Sequence, residues 1–386
     1  MRPTFLPFSP PALSDKEIES VLETLREGTW LSSGPKVKKL EEEFKKYVDA
    51  PAAAAMNSCT AALHVALLVH DIKPGDEVIV PAMTFCATAN VVEHCGGTTV
   101  FADVDPETLL LTPQNFEKAI TKKTKVVIPV HYAGHPVDMD AINAIAKKHN
   151  IKVVEDAAHC MPSKIGDKYV GSSDNFTTFS FYATKNMTTG EGGMMTGPAD
   201  LMDQAKMLAL HGMSRDAWER FKPGAKWEYD VPRPGFKYNM PEIMASLGLV
   251  QLERLNELYE RRMQLVHVYD KFFKNFPYAK VLATRPGFQS SHHLYVMFLE
   301  LEKLTIDRNQ FIDELTARNI GSSVHYKPVH MMTYYANKYN LKPENFPVSQ
   351  NAFKRMLSLP LSSKLSPQDA QDAVAAVDEI CQKYKR

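Results

Sequence analysis

The feature that most constrains this chain is a regular beat of short apolar runs separated by amphipathic segments. Strands are predicted at Ala53–Met56, Glu77–Val80, Val100–Val104, Val126–Val130 and Lys152–Glu155, alternating with helices near 59–69, 85–94, 113–120 and 138–148. Strand–helix alternation at this pitch implies βαβ units and a mainly parallel sheet with helices on both faces. Phe176–Phe181 reads as a further strand. Upstream, Ser14-Asp15-Lys16-Glu17 is a capping box, followed by Ile18, Val21, Leu22 and Leu25 at helical spacing and Gly28 as a stop. A second amphipathic helix follows Gly34-Pro35, with Val37, Leu40, Phe44 and Tyr47 on one face.

After Leu201 the rhythm changes. One long helix is predicted through Leu247, Leu249, Leu252, Leu255 and Leu258, then a strand over His292–Leu301 and helices near 307–318 and 366–384. The expected organisation is a large domain over 1–250 and a smaller C-terminal α+β domain over 251–386. The stretch Lys222–Pro234, with Pro223, Pro232 and Pro234, reads as an irregular loop of a length that is often functional.

Composition narrows the functional classes. Lys+Arg and Asp+Glu are both 45, a formal charge of zero that argues against a nucleic-acid partner. The five cysteines, with no C-x-x-C pair, read as reduced thiols in a cytoplasmic protein. Ala50–His70 is uncharged and long enough to span a bilayer, but Pro51, Asn57, Ser58, Thr60 and His64 interrupt it. A buried strand and a buried helix fit it better, so no membrane association is expected. The N-terminal residues lack the long apolar region of a signal peptide.

In an open α/β sheet, ligands sit at the carboxyl ends of the parallel strands. Asn57-Ser58-Cys59-Thr60 follows one strand and opens a helix, where free N–H groups suit a phosphate. Read alone, a Ser or Thr helix cap explains this run better. Asp156 ends the next informative strand, and a buried carboxylate needs a partner such as a protonated ring nitrogen; another helix cap has equal standing. Lys185 follows the predicted strand Phe176–Phe181, among small, hydroxylic and glycine residues. A partly desolvated lysine there becomes a nucleophilic amine able to form a Schiff base. A phosphate cradle, an acid for a ring nitrogen and an amine for an aldehyde together describe a pyridoxal phosphate (PLP) site. Phe85, at the start of another post-strand helix, offers a face for the ring, although a lone Phe there is more often core. There is no Walker A sequence, no H-E-x-x-H, and no histidine pairing that predicts a metal.

These segments resemble the DegT/DnrJ-type sugar-nucleotide aminotransferases, within the fold type I (aspartate aminotransferase-like) PLP enzymes. The resemblance rests on Glu155-Asp156-Ala157-Ala158-His159 and Phe179–Gly193. Trp30–Pro35, Gly75–Pro81, Pro129–Gly134, Lys237–Met240 and Ser323–Tyr326 add to it. It implies that Lys185 holds the cofactor and moves the proton, that Asp156 pairs with the ring nitrogen, and that His159 lies beside the ring or its hydroxyl. It further implies that Cys59 (through its backbone), Thr60 and Ser180 hold the phosphate. Asn239 would complete that site from the neighbouring subunit of a homodimer. Phe85 stands where some relatives have tryptophan. Leu31, Ser33 and His325 would line the sugar-nucleotide pocket. The implied reaction moves an amino group from L-glutamate, through pyridoxamine phosphate, to a nucleotide-linked keto-sugar, with a lean towards C4, in amino-sugar biosynthesis for a surface polysaccharide or glycoconjugate. A PLP-dependent sugar dehydratase, disfavoured by Lys185, and a PLP-binding regulatory protein are the alternatives.

Overall fold

A computed structural model describes residues 2–214 and 229–386. The chain opens with helices α1 (Asp15–Glu27) and α2 (Pro35–Val48). It then alternates through β1 (Ala52–Met56), α3 (Cys59–Val69), β2 (Glu77–Pro81), α4 (Cys86–His94), β3 (Thr98–Ala102), α5 (Pro113–Ala119), β4 (Thr124–Val127), α6 (Met139–Lys148) and β5 (Lys152–Asp156). Two short strands, β6 (Lys164–Ile165) and β7 (Lys168–Tyr169), precede β8 (Phe176–Ser180), β9 (Gly193–Gly197) and α7 (Ala199–Leu208). Beyond them run α8 (Glu242–Glu253), α9 (Leu255–Phe273), β10 (Ala279–Val281), β11 (Phe288–Gln289), β12 (Tyr295–Leu299) and α10 (Arg308–Ala317). The chain closes with α11 (Thr333–Lys338), α12 (Pro347–Arg355), β13 (Met356–Leu359) and α13 (Pro367–Tyr384).

The main sheet has seven strands in the order β1-β9-β8-β5-β4-β2-β3, and within it only β9 runs against its neighbours. The parallel strands therefore deliver their carboxyl ends to one edge of the sheet. The uncharged stretch from Ala50 becomes β1 and α3, and α3 is buried from Cys59 to Leu67 on nearly every side. That is why its sequence has no polar stripe. Among the described residues no helix is long and apolar enough to cross a membrane. A separate antiparallel sheet, β10-β12-β13, packs a second core of Leu265, Tyr269 and Phe273 from α9 and Val377 and Ile380 from α13, and Leu6 inserts into it.

Several expectations are corrected. Strands β3 and β4 end two and three residues earlier than predicted, at Ala102 and Val127. Strand β9 escaped prediction because its Gly-Met-Met-Thr-Gly sequence lacks β-branched alternation. The predicted long leucine helix is two helices that break at Arg254, whose guanidinium turns to Ser14 and Glu17. Only the end of the predicted 222–234 loop lies within the described residues; 229–234 is irregular there, and 222–228 lies outside them.

The largest difference concerns α1. Its apolar residues do not face the core: Ile18 is 54% exposed, Leu22 37% and Leu25 48%. The buried residues of this helix are Glu17 and Thr24. Burial pushes the Glu17 carboxyl up, but hydrogen bonds from Ser14, Gln251 and Arg254 hold it at about 2. Ser20 donates to the Ser246 carbonyl at 3.0 Å. Docking of α1 on α8 is thus polar, and its apolar stripe is left outward.

Close approach of three backbones shapes the site end of the sheet. A Cβ on Gly193 would lie 2.5 Å from both Cys59 N and Ser58 C, and 2.8 Å from Phe179 O. Gly193→Ala is therefore expected to destabilise the fold by about 1–3 kcal/mol, through forced separation of β9 from the start of α3. Urea unfolding of the variant checks this; wild-type stability would show that the strands separate freely.

Candidate active site

Strand ends, one loop and the start of α3 converge. Asn57 N donates to the Tyr238 carbonyl at 2.7 Å, holding the exit of β1. Ser58 caps α3, accepting from Ala61 N at 3.1 Å. The N–H groups of Cys59 and Thr60, first in the helix, have no intrahelical acceptor by position. Cys59 Sγ lies 3.6 Å from Thr178 Oγ1 on β8. Ser180 ends β8 opposite Gly193 in the β8–β9 register, and its hydroxyl accepts from Tyr182 N at 3.3 Å.

Adjacent carboxylates at the end of β5 have opposite surroundings because strand side chains alternate faces. Glu155 is fully engaged by His131 Nε2 at 3.0 Å, Ser173 Oγ at 2.8 Å and Asn175 Nδ2 at 2.8 Å. Val137 N donates to His131 Nδ1 at 3.0 Å, so the proton of that neutral ring sits on Nε2, facing Glu155. Asp156 points the other way. Its Oδ2 accepts from Thr88 Oγ1 at 2.8 Å and its Oδ1 from Ala158 N at 3.1 Å. Burial raises its pKa, against the pull of Thr88, Ala158 and the Lys185 charge.

Lys185 follows a turn in which its N–H donates to the Tyr182 carbonyl at 2.9 Å. Its side chain is enclosed by protein yet keeps some access to solvent. Burial lowers the amine to about 8, with Cys59 and Asp156 pulling the other way. Lys185 and Asp156 feel each other's charge, and among the described residues they form no salt bridge.

His159 is buried; its Nδ1 accepts from Ala133 N at 3.2 Å and its Nε2 lies 3.0 Å from the Tyr326 hydroxyl. Burial, Lys185 and His325 hold it well below the usual histidine range. The Ser291 hydroxyl donates to the His159 carbonyl at 2.6 Å, and Asn186 Nδ2 donates to the Ser291 carbonyl at 2.8 Å. His325 is pushed down to about 4 by burial and by Lys185; its ring stacks on Phe8 at 5.2 Å and its Nδ1 lies 3.0 Å from Ser358 Oγ. Phe85 is 53% exposed, with its ring 5.5 Å from that of Tyr326.

The structure thus gathers Lys185, Asp156, His159, Cys59, Phe85 and His325, with Thr60 and Ser180 on the same strand and helix ends. Asn239 bridges Met56 of its own chain and donates to Ser33 Oγ at 2.8 Å, and its buried Oδ1 has no partner among the described residues. Ser33 and Leu31 gather around Asn239 and the start of α8, where Glu242 N donates to the Leu31 carbonyl at 3.2 Å. No hydrogen bond among the described residues joins them to Lys185. Sequence reasoning gave no role to Thr88, Ala133 or Tyr326. Thr84 and Thr88 at i,i+4 were a usable signal for the first, since their hydroxyls meet at 2.8 Å.

With this geometry in view, known proteins can be compared. The profile of the DegT/DnrJ/EryC1/StrS aminotransferase family matches residues 11–378. The chain belongs to that family. It is 44% identical over 378 residues to the spore coat polysaccharide biosynthesis protein SpsC of Bacillus subtilis, covering 97% of each. Among solved structures, the putative sugar aminotransferase Spr1654 from Streptococcus pneumoniae, in its PLP form, superposes with a TM-score of 0.91 at 37% identity, covering 98% of this chain and 99% of that one. Helicobacter pylori PseC, an aminotransferase of pseudoaminic acid biosynthesis, gives 0.90 at 28% identity over 99% and 100% of the chains. The fold is that of the PLP-dependent sugar aminotransferases, and the chain is such a transaminase.

The residues present fit that cofactor. A largely buried amine and a buried carboxylate lie within reach of each other's charge, and among the described residues no cationic side chain bonds to that carboxylate. The opening N–H pair of α3 faces a strand end where Gly193 leaves room for no side chain. The depressed Lys185 pKa also has a stability consequence. Below about pH 8 the ammonium is retained in the folded state at an energetic cost; between pH 8 and 10.5 the unfolded chain binds more protons, and the cost disappears. Lys185→Met, prepared without cofactor, should be more stable than wild type by about 1–3 kcal/mol at pH 7. The gain should fade towards pH 10.5, as read by urea midpoints. A gain independent of pH would show that the amine is solvated.

Proposed function

We propose that this aminotransferase moves an amino group from L-glutamate to C4 of a nucleotide-linked keto-sugar, in the assembly of an amino sugar for a surface polysaccharide or glycoconjugate. The observation that carries the reading is the largely buried Lys185 amine beside a buried Asp156 carboxylate that Thr88 and Ala158 orient and, among the described residues, no salt bridge neutralises. When bound, PLP supplies the electron sink that accepts the pair released as a proton leaves the donor's α-carbon.

The chain's own residues do the rest. Lys185 Nζ would hold the cofactor's aldehyde between turnovers, and its amine, once released, would take the α-proton and return it, helped by the burial that lowers its pKa. An acid–base group in this position contributes about 10²–10⁴ in rate. Asp156, oriented by Thr88 and Ala158, holds the proton on the ring nitrogen. Cys59 and Thr60, through their backbone N–H groups, and Ser180, through its hydroxyl, bind the phosphate. His159 and Phe85 would lie beside the ring, and His325, stacked on Phe8, would meet the sugar. The relative SpsC, a spore coat polysaccharide biosynthesis protein, supports the biosynthetic setting. The lean towards C4 rests on His131–Gly134 and the N-terminal segment alone.

We also propose a homodimer in which Asn239 serves the partner's phosphate site. The outward apolar stripe of α1 and the half-exposed Trp30 and Leu31 beside the Ser33 contact support a second copy, and of the Asn239 amide Nδ2 is the group able to donate to a phosphate. Mixing Lys185→Ala and Asn239→Ala subunits tests it. In trans, the mixed dimer regains one intact site and about half of the wild-type activity per dimer; a mixture as inactive as its parents places Asn239 in its own chain's site.

For the reaction itself, UDP-, GDP- and dTDP-linked keto-sugars are incubated with glutamate while 2-oxoglutarate is measured. Lys185→Ala should abolish both the visible cofactor absorbance and turnover while the fold persists. Asp156→Asn should keep the fold and lose at least about 10²-fold in kcat, because a neutral amide no longer holds the ring proton. Wild-type kinetics in either variant would refute the assignment.

A further inference from the structure

The reading above, on which this inference rests, leaves Tyr326 without a role. Ala133 occupies the left-handed region at φ 57, and this unusual backbone aims its N–H at His159 Nδ1, 3.2 Å away. A backbone N–H only donates. Nδ1 must therefore be bare, and the single proton of the neutral ring sits on Nε2. A doubly protonated imidazole is excluded by the same contact. Nε2 faces the Tyr326 hydroxyl at 3.0 Å, so Nε2 donates and the phenol accepts.

Direction then propagates. With its lone pair engaged by His159, the Tyr326 hydroxyl has its own proton free, and no acceptor among the described residues takes it. The ring stands between His159, stacked at 6.0 Å and 30°, and Phe85 at 5.5 Å. It feels the charges of Asp156 and Cys86, while Lys185, His293, His325 and Tyr132 are the other titratable groups around His159. Tyr326 is only partly covered, and it lies close enough to Asp156 to feel that carboxylate.

We propose that Tyr326 is a further residue of the active site, an obligatory hydrogen-bond donor to an acceptor oxygen of the bound cofactor or sugar, with its direction set by the Ala133–His159 relay. Tyr326→Phe removes the donor and keeps the ring contacts. If the oxygen belongs to the cofactor, its loss leaves that oxygen more basic. The pH midpoint of the holoenzyme's visible absorbance, measured without sugar, should then rise by roughly one unit. If the oxygen belongs to the sugar, that midpoint stays and KM for the keto-sugar rises roughly tenfold, with the glutamate half-reaction unchanged. Replacing Tyr326 with 3-fluorotyrosine, a stronger donor of nearly the same shape, should move the affected quantity the other way, which a packing role would not. This second protein also serves if the phenylalanine variant melts early. Should neither quantity move in either protein while Lys185→Ala still loses its colour, the proposal is overturned and the parent reading stands. Colour retained in Lys185→Ala would remove the parent reading instead.

Discussion

The site depends on keeping an amine and a carboxylate in one enclosure without letting them neutralise each other. A direct ion pair between Lys185 and Asp156 would satisfy both charges and close the gap. The fold prevents this by fixing each group from outside. Thr88 and Ala158 occupy both Asp156 oxygens, and the turn closed by Tyr182 sets where the Lys185 side chain starts. β5 and β8 are adjacent and parallel, with Asp156 opposite Thr178, so the two groups come from neighbouring strand ends by different routes. The result is a depressed amine and a raised carboxylate, each short of a partner that a bound ring supplies.

Much of this was legible in the sequence because it follows from periodicity and from strand ends. The alternating apolar runs gave the parallel sheet, and position after a strand singled out Asn57–Thr60, Asp156 and Lys185. Asp156, and not Glu155, stood out by its place at the strand end; in the structure Glu155 is satisfied by His131, Ser173 and Asn175 on the opposite face of β5. Ser173 and Asn175 are close enough in sequence to β5 to have been suspected. His131 pairs across strands and is not.

What stayed hidden shares a cause. Thr88 meets Asp156 across 68 positions and Tyr326 meets His159 across 167, and such contacts leave no local pattern. Strand β9 was missed because its identity comes from insertion between β1 and β8, not from its glycine-flanked sequence. The break at Arg254 was missed because leucine spacing continues across it; the interruption comes from Ser14 and Glu17, about 240 residues away in the chain.

Helix α1 carries that argument furthest. Spacing alone assigns Ile18, Leu22 and Leu25 to the core, yet the helix docks through Glu17, Ser20 and Thr24. Burying the Glu17 carboxylate is tolerable only because Arg254, Gln251 and Ser14 all reach it, a set that the chain assembles from the C-terminal end of α8 and the cap of α1. A helix held by so specific a polar set could have covered its apolar side at lower cost by rotating, unless that side is needed elsewhere. Trp30 and Leu31, just past the end of α1, are half-exposed as well. An inverted amphipathic helix is an anomaly in an isolated chain, and a second copy docked on its outward face would account for it.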